Sequence, residues 1–259
     1  MYSRGRIPGI RYLRGIQYHW WVVVLTTIAM SADGLVVQGI PVLYPFIRDE
    51  FDLTRAQVGL LTSGIMTASM VTVVLGGWLS DVYGTKRILV AVIAYTSIPL
   101  LAFTIVNSLW SIIAIGVLIG IGVGPIYPVT SKAIVDWLPQ NVRSFGMSLK
   151  QTGPPFAGAI AAITLPTIAM AAGWRNVLVI LSAVTFVIAI VFFAFYRDHS
   201  TQQFSNRRLS VNDFKDIAKD RDMIILTVWG FFFVGFQFII LSYLIHFLVE
   251  ELKYSAIVA

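Results

Sequence analysis

Two ionisable residues that lie inside long apolar stretches are the first candidates for chemistry in this sequence. Asp33 lies in the middle of an apolar stretch near the N-terminus, and Lys150 lies next to Gln151 near the start of another. A carboxylate in mid-membrane costs at least about 2.5–3.5 kcal/mol, so Asp33 should face a wet cavity or the interior of a helical bundle. There Asp33 could take up a proton, while Lys150 and Gln151 could hold an anion.

Both ionisable residues also have an ordinary structural explanation. Asp33 could hydrogen-bond a neighbouring helix, and Gly34 would loosen its own helix at that point. Lys150 could reach along the apolar stretch to place its ammonium group at the membrane interface, whereas in a functional role it would hold an anion or pair with Asp33. We favour a functional role for Asp33, because unpaired acids are rarely retained in membranes for packing, and leave the interpretations of Lys150 open.

The stretch around Lys150 carries the densest group of polar features in the chain. Arg143 and Lys150 are seven residues apart, so they share one face of a helix. Pro154 cannot donate a hydrogen bond to the carbonyl of Lys150, and Pro155 cannot donate one to that of Gln151. A cation, an amide and two unpaired carbonyls are therefore expected together in one third of a membrane span.

Three more polar residues complete the predicted substrate-binding set. Gln38 extends the polar side of the first apolar stretch. Tyr127 follows a run of glycines in 116–124, whose spacing predicts close packing of two helices. Gln237 lies in the last apolar stretch. The predicted substrate-binding residues are Asp33, Gln38, Tyr127, Lys150, Gln151 and Gln237.

The composition indicates that these residues belong to a membrane protein. Hydrophobic residues make up 57% of the chain and charged residues 12%, whereas soluble domains average about 45–50% and about 25%. A membrane-spanning helix needs about 20 apolar residues. The sequence therefore predicts an all-α polytopic membrane protein, with spans at 20–45, 57–79, 88–106, 109–131, 145–168, 175–196 and 223–249.

The distribution of basic residues predicts a cytoplasmic N-terminus in a multi-pass protein of the inner (plasma) membrane. With that orientation, most of the 19 Lys and Arg residues fall in cytoplasmic segments, which are the segments that such residues favour. Because the membrane explains the net charge of +6, no nucleic-acid partner is expected. The basic residues on the outer side would be Arg48, Arg55, Arg175 and Lys253.

The connection between the second and third predicted spans is short and charged. It reads Gly77-Trp-Leu-Ser-Asp81-Val-Tyr-Gly84-Thr-Lys86-Arg87. Gly84 permits a turn with positive φ, and Lys86 and Arg87 can anchor the next span to anionic head groups. The pattern resembles the signature loop between helices 2 and 3 of the major facilitator superfamily of secondary transporters.

The resemblance implies a fold of two six-helix halves that hold the substrate between them. The chain would supply the N-terminal six-helix half (1–196), a cytoplasmic central loop (197–222) and the start of the second half (223–259), which contains helix 7. Because helix 7 mirrors helix 1 in that architecture, Gln237 is expected to face Asp33 or Gln38. No part of the sequence corresponds to helices 8–12 of that fold, so we expect a C-terminally truncated sequence or a short natural product. A full-length protein is expected to be a monomer.

The resemblance also assigns a gating role to the charged connection. Gly77, Asp81, Gly84, Lys86 and Arg87 would form the gating motif. Asp81 would lock the outward-facing state by meeting the positive N-terminal dipole of a helix in the other half.

Further strings resemble a bacterial branch that includes cyanate-permease-like and other organic-anion carriers. They are Thr130-Ser-Lys132-Ala-Ile-Val-Asp136-Trp137-Leu-Pro139, Lys150-Gln151-Thr152-Gly153-x-Pro155 and Gly173-Trp174-Arg175. The branch implies secondary active transport of a small solute, an organic anion, by alternating access. A proton could be the coupling ion, which would make the protein a symporter.

The rival interpretation is a membrane protein that does not transport, such as a sensor or a degenerate remnant of a transporter. The length favours this rival, whereas Asp33 and the intact charged connection argue against it. An enzyme is not expected, because no nucleophile, metal cluster or paired carboxylate is apparent and the chain has no cysteine. The expected partners are a small-molecule substrate and the lipid bilayer, and no cofactor or metal is expected.

Overall fold

The computed structural model describes residues 9–199 and 219–246, which are almost entirely helical. The chain divides into two units, 1–206 and 207–259, so the boundary falls inside the predicted central loop. Most of that loop (200–218) and the residues after His246, including Lys253, lie outside the described residues.

The helices follow one another through short connections. In lipid, backbone groups must find their hydrogen-bond partners within the protein, and a helix supplies them within its own segment. The helices are α1 (Gly9–Val42), α2 (Tyr44–Phe51), α3 (Arg55–Tyr83), α4 (Thr85–Ala102), α5 (Leu109–Val123), α6 (Ile126–Trp137), α7 (Gln140–Gln151), α8 (Gly153–Ala172), α9 (Trp174–Phe195) and α10 (Arg221–His246).

Six helical segments of the described residues are long and apolar enough to cross a membrane. They confirm the predicted all-α membrane protein, and each overlaps one of the first six predicted spans. α10 lies at the position of the seventh predicted span. The six segments are span 1 (Tyr18–Val42), span 2 (Arg55–Tyr83), span 3 (Thr85–Ile105), span 4 (Leu109–Trp137), span 5 (Gln140–Ala172) and span 6 (Trp174–Phe195).

The helices differ from the predicted spans at their ends and in two interruptions. Span 4 continues to Trp137 and span 5 begins at Gln140, because a helix can extend beyond the apolar stretch that crosses the lipid. Span 4 is interrupted at Gly124–Pro125 and span 5 at Thr152, next to prolines that remove helical hydrogen bonds. The predicted loop after span 1 contains α2.

The six spans pack in three principal pairs, namely span 1 with span 5, span 2 with span 4, and span 3 with span 6. Exchanging span 1 with span 4, span 2 with span 5 and span 3 with span 6 gives the same set of pairs. That is the pattern of an inverted repeat of three helices.

Gly84 and Gly173 occupy the same place in the two repeats, between the second and third helix of each. Gly84 has φ 92° and ψ 151°, and Gly173 has φ 86° and ψ 148°. Each amide donates to the carbonyl four residues earlier, that of Ser80 (3.1 Å) or Ala169 (2.9 Å). This conformation is nearly restricted to glycine. The predicted positive φ at Gly84 is confirmed.

The buried apolar residues form two main clusters, one on each side of the helix interruptions. On span 1, one cluster ends at Ala32 and the other begins at Val36. On span 4, the division falls between Val123 and Ile126. Asp33 and the break at Pro125 therefore lie at the level where the apolar core is divided.

Span 4 approaches span 2 closely through a row of glycines. A Cβ atom added at Gly116 would overlap the Leu61 side chain, and one added at Gly120 would overlap the Ile65 carbonyl oxygen. At Gly124 the overlap would be with Thr72. The close packing predicted from the glycine spacing is thus confirmed, because small residues let two helix backbones come together.

Gly120→Ala should destabilise this bundle by about 1–3 kcal/mol, the usual range for overpacking. The obstacle is a backbone carbonyl, that of Ile65, which cannot rotate away. The matched control is Gly59→Ala in α3, where an added Cβ would meet nothing within 4 Å. There alanine should stabilise the helix by about 0.5–1 kcal/mol. Denaturant unfolding of the purified protein in detergent would measure both, and equal effects would contradict the packing role.

Candidate functional site

A cavity of about 210 Å³ lies between spans 1, 2 and 4, at the level where the apolar core is divided. We call it the central cavity. Its wall is mostly apolar, with one acid, one phenol and one hydroxyl. It is lined by Asp33, Val37, Ile65, Met66, Ser69, Val73, Val123, Gly124 and Tyr127.

Asp33 lines the central cavity and is partly exposed to it. No residue in the described part of the chain donates a hydrogen bond to its carboxylate. The neighbouring Gly34 has no space for a side chain, because a Cβ there would overlap the backbone of Pro154 in span 5. The structural alternative, a hydrogen bond from Asp33 to a neighbouring helix, is therefore absent from residues 9–199.

Lys150 is buried, with 1% of its surface exposed, and its ammonium group is held by span 4. Nζ donates to the Ser131 hydroxyl at 2.8 Å, the Thr130 hydroxyl at 3.1 Å and the Tyr127 carbonyl at 3.3 Å. The same nitrogen lies 4.2 Å from the centroid of the Tyr127 ring. Three acceptors and an aromatic face together compensate the cost of burying this charge.

The position of Lys150 differs from two of its predicted interpretations, the structural one at the membrane interface and the functional pair with Asp33. The side chain does not extend to the membrane interface, because it is buried between spans 4 and 5. Its ammonium makes no ion pair with Asp33 in the described structure. Tyr127 is 52% exposed and lines the cavity, so its ring stands between the cation and the cavity.

The shared face predicted for Arg143 and Lys150 is confirmed. The Arg143 guanidinium donates to the carbonyls of Val135 (3.0 Å) and Leu138 (3.3 Å), so both cations bind α6 of span 4.

Two of the remaining predicted site residues, Gln38 and Gln151, do not line the central cavity. Gln38 is exposed, and its amide lies against Gly158 of span 5. Gln151 is exposed next to the break in span 5. Gln237 is part of α10, but its side chain lies outside the described residues, so its predicted position facing Asp33 or Gln38 stays a prediction.

The charged connection at the end of span 2 is bound to span 4. Asp81 Oδ1 lies 2.5 Å from Lys132 Nζ, and Lys132 also donates to the Ser80 carbonyl at 2.9 Å. In the sequence, Lys132 stands out only within a family pattern, and its contact with Asp81 was not predicted. The signal was the position of Lys132 near the end of span 4, on the same side of the membrane as Asp81.

The other residues of the predicted gating motif connect spans 2, 3, 4 and 6. Gly77 faces Pro128 of span 4, with 4.0 Å between its virtual Cβ and Pro128 Cβ. The Lys86 amide donates to Asp198 Oδ1 at 2.8 Å, and the Lys86 ammonium lies 4.9 Å from the Phe193 ring centroid. Arg87 is exposed, and its contact with lipid head groups stays a prediction.

At the opposite end of the bundle, Glu50 binds the beginning of span 6. Its carboxylate accepts from Trp174 Nε1 at 2.6 Å and lies 2.6 Å from Arg175 Nη1. Arg175 also donates to the Thr104 carbonyl at 3.0 Å, so α2 and spans 3 and 6 meet here. The hydrogen bond from Trp174, followed by the bond and charge of Arg175, holds the pKa of Glu50 below its ordinary 4.5.

The family is decided by a match that covers most of the sequence. The family model of the "Major Facilitator Superfamily" matches residues 23–259. The chain belongs to this superfamily. Its membership makes it a protein of a transporter family and not an enzyme, and it agrees with the fold and the charged connection described above.

Several curated relatives of this major facilitator chain are named as transporters. "Probable sulfoacetate transporter SauU" of Cupriavidus necator is 28% identical over 61% of this chain and 37% of that protein. "Hexuronate transporter" of Bacillus subtilis is 26% identical over 76% and 44%. "4-hydroxybenzoate transporter PcaK" of Pseudomonas aeruginosa is 25% identical over 67% and 39%. The chain thus spans less than half the length of these relatives.

Solved structures of transporters have the same fold. A bacterial homologue of the human lysosomal transporter Spinster matches with a TM-score of 0.67 and 18% identity, over 92% of this chain and 57% of that one. The xylose transporter XylE of E. coli matches with a TM-score of 0.56 and 16% identity, over 70% and 49%. At these identities the likeness supports the fold.

Glu50→Gln should reduce the acid sensitivity of the bundle. A carboxylate whose pKa is lowered by folding stabilises the protein above its unfolded pKa, and this stabilisation is lost as the pH falls through the folded pKa. The stability of the wild type should therefore decrease as the pH falls below 4.5, and the stability of the variant should decrease less over the same range. Unfolding measured between pH 7 and about pH 3 would test this expectation.

Trp174→Phe is the companion variant, because it removes the hydrogen bond that contributes most to the lowered pKa of Glu50 and keeps an aromatic ring at this position. Its acid transition should move to higher pH. If stability changed with pH in the same way in the wild type and both variants, Glu50 would not hold this end of the bundle together.

Proposed function

We propose that this chain supplies one half of a secondary transporter that carries a small organic anion across a membrane, together with a proton, by alternating access. The named relatives support the class of substrate, because sulfoacetate, hexuronate and 4-hydroxybenzoate all carry a carboxylate group. In the proposal, a second half of the complete protein faces the central cavity.

The observation that carries the proposal is that an acid and a shielded cation are both present at one cavity. Asp33 and Tyr127 line it, and the Lys150 ammonium is buried behind the Tyr127 ring. A fixed positive charge close to a low-dielectric cavity attracts an anion without forming a contact that would hold it permanently. Tyr127 also offers the anion its hydroxyl group as a hydrogen-bond donor.

Proton coupling would follow from the charge of Asp33. A charged carboxylate repels an organic anion in the same cavity, whereas a protonated one does not and can donate a hydrogen bond. Binding of a proton at Asp33 and of an anion beside it should therefore favour each other. If neither the proton nor the anion binds stably without the other, both cross the membrane together, which is symport.

Alternating access would move the described bundle as one body against the second half. The Asp81–Lys132 pair ties one end of the bundle and the Glu50–Arg175 pair ties the other. We propose that Asp81 also meets the second half in the outward-facing state. The distribution of basic residues supports an orientation with Asp81 at the cytoplasmic side of the inner (plasma) membrane.

Asp33→Asn should abolish proton-driven accumulation and preserve exchange. Asparagine keeps the shape and a hydrogen-bond donor but cannot release a proton. The measurement is uptake of labelled 4-hydroxybenzoate, glucuronate and sulfoacetate into proteoliposomes that hold the protein in its complete natural form. Asp52→Asn, at an exposed turn, is the control and should behave as the wild type. Gradient-driven accumulation that survives in Asp33→Asn would remove Asp33 from the coupling step.

Lys150→Met should weaken anion binding by roughly ten- to thirtyfold, because two unit charges about 8 Å apart interact by about 2 kcal/mol at an effective dielectric of 20. Methionine keeps the apolar stem, and the Thr130 and Ser131 hydroxyls keep their bonds to Ile126 and Tyr127. Equilibrium binding of 4-hydroxybenzoate and of the neutral 4-hydroxybenzamide would separate loss of charge from loss of shape. Unchanged affinity for the anion would show that Lys150 is only a structural tie.

A further inference from the structure

A second cavity, of about 280 Å³, lies at the end of the bundle opposite to Asp81. We call it the arginine pocket. Two of its six lining residues are arginines, although basic residues are scarce at this end of the bundle. The lining residues are Pro41, Tyr44, Pro45, Arg48, Arg55 and Val58.

The arginine pocket and the central cavity lie on the same faces of the same helices. From Asp33, the lining residues of α1 and α2 follow at steps of three or four, through Val37, Pro41 and Tyr44 to Arg48. Residues at such steps share one face of a helix. Leu43, between the two helices, keeps a helical conformation with φ −88° and ψ −7°.

The same spacing continues on α3. Positions 55 and 58 line the arginine pocket, and positions 65, 69 and 73 line the central cavity. Thr62 lies between the two groups, where its hydroxyl is 2.6 Å from the Tyr44 hydroxyl. The two cavities are thus neighbours along one path, and the Tyr44–Thr62 hydrogen bond crosses that path between them.

The arginine pocket carries positive charge that its surroundings neutralise only in part. Arg55 is exposed and makes no hydrogen bond or ion pair with any residue in the described part of the chain. Arg48 lies 3.2 Å from Asp49, whose side chain is 70% exposed. The nearby carboxylate of Glu50 is occupied by Trp174 and Arg175.

We propose that the arginine pocket is a capture site for small organic anions, which pass from it beyond Tyr44 into the central cavity. The guanidinium of Arg55 offers a planar fork of donors that matches a carboxylate or a sulfonate. Partial exposure keeps the interaction weak, so a captured anion can leave again. This inference rests on the proposed function for the fate of the anion, but not for its capture.

The charge of the arginine pocket can be measured without any transport. The 259 residues of this chain contain no cysteine, so Val58→Cys places a single thiol of this chain in the pocket wall. The probes are the anionic sulfonatoethyl and the cationic trimethylammonioethyl methanethiosulfonates. Each forms a mixed disulfide with the cysteine thiolate and releases methanesulfinate. Asn107→Cys, an exposed position between spans 3 and 4, is the matched control.

The ratio of anionic to cationic labelling rates should be about fivefold higher at Val58→Cys than at Asn107→Cys. It should fall to the control value when Arg48→Gln and Arg55→Gln are added, and it should also fall at high ionic strength. Arg55→Lys should keep most of the ratio. Equal ratios at the two positions, or a ratio unaffected by the glutamines, would overturn the capture site.

Asp49→Asn provides an independent test if the double glutamine variant does not fold. Removing this carboxylate leaves Arg48 without its partner, so the labelling ratio at Val58→Cys should rise. An unchanged ratio would count against the capture site.

Transport kinetics then separate this inference from the proposed function. Arg55→Gln should raise KM for 4-hydroxybenzoate uptake about threefold to tenfold, leave the maximal rate unchanged and weaken the dependence of uptake on salt. Charge-selective labelling in a protein that transports none of the three anions would reject the proposed function and retain anion capture. Unchanged KM and salt dependence in an active transporter would reject capture on the transport path.

Discussion

Close approach of helices through glycine is the constraint on which this bundle depends. Apolar side chains gain little by leaving lipid for a protein interior, so helices in membranes associate through close packing and polar contacts. Gly34 against Pro154 and Gly120 against Ile65 provide such packing. The central cavity opens directly beside these contacts, since Asp33 precedes Gly34 and Gly124 itself lines the cavity. Close helix packing and the central cavity are therefore adjacent.

The two helix interruptions decide where the buried cation lies. Tyr127 follows the break at Pro125, and Lys150 precedes the break at Thr152. Because the breaks lie at a similar depth, the lysine of one span reaches the first turn after the break in the other. There Nζ finds the carbonyl of Tyr127 and the hydroxyls of Thr130 and Ser131. The satisfied ammonium group then fixes the Tyr127 ring at the cavity wall, so packing and electrostatics act on one residue.

The sequence predicts how deep a residue lies in the membrane better than it predicts in which direction its side chain points around the helix. Apolar length located the spans, and Gly84 was correctly expected to have positive φ, because lipid thickness and backbone sterics act locally. The burial of Lys150 behind Tyr127 was not predicted, since it depends on how spans 4 and 5 are rotated against each other. The partnership of Asp81 with Lys132 was missed for the same reason. Pairing between spans is a tertiary property that the spacing within one span does not encode.

In the proposed mechanism, one proton decides whether the net charge around the central cavity attracts an anion. With Asp33 charged, the acid and the cation of Lys150 cancel at long range, and an anion gains little by entering. With Asp33 protonated, the buried cation is uncompensated and the cavity becomes attractive to an anion. In this proposal, Tyr127 would keep the anion from forming a permanent salt bridge, so release after deprotonation would remain fast. A transporter needs this reversibility more than it needs affinity, and a shielded lysine provides it better than an exposed one.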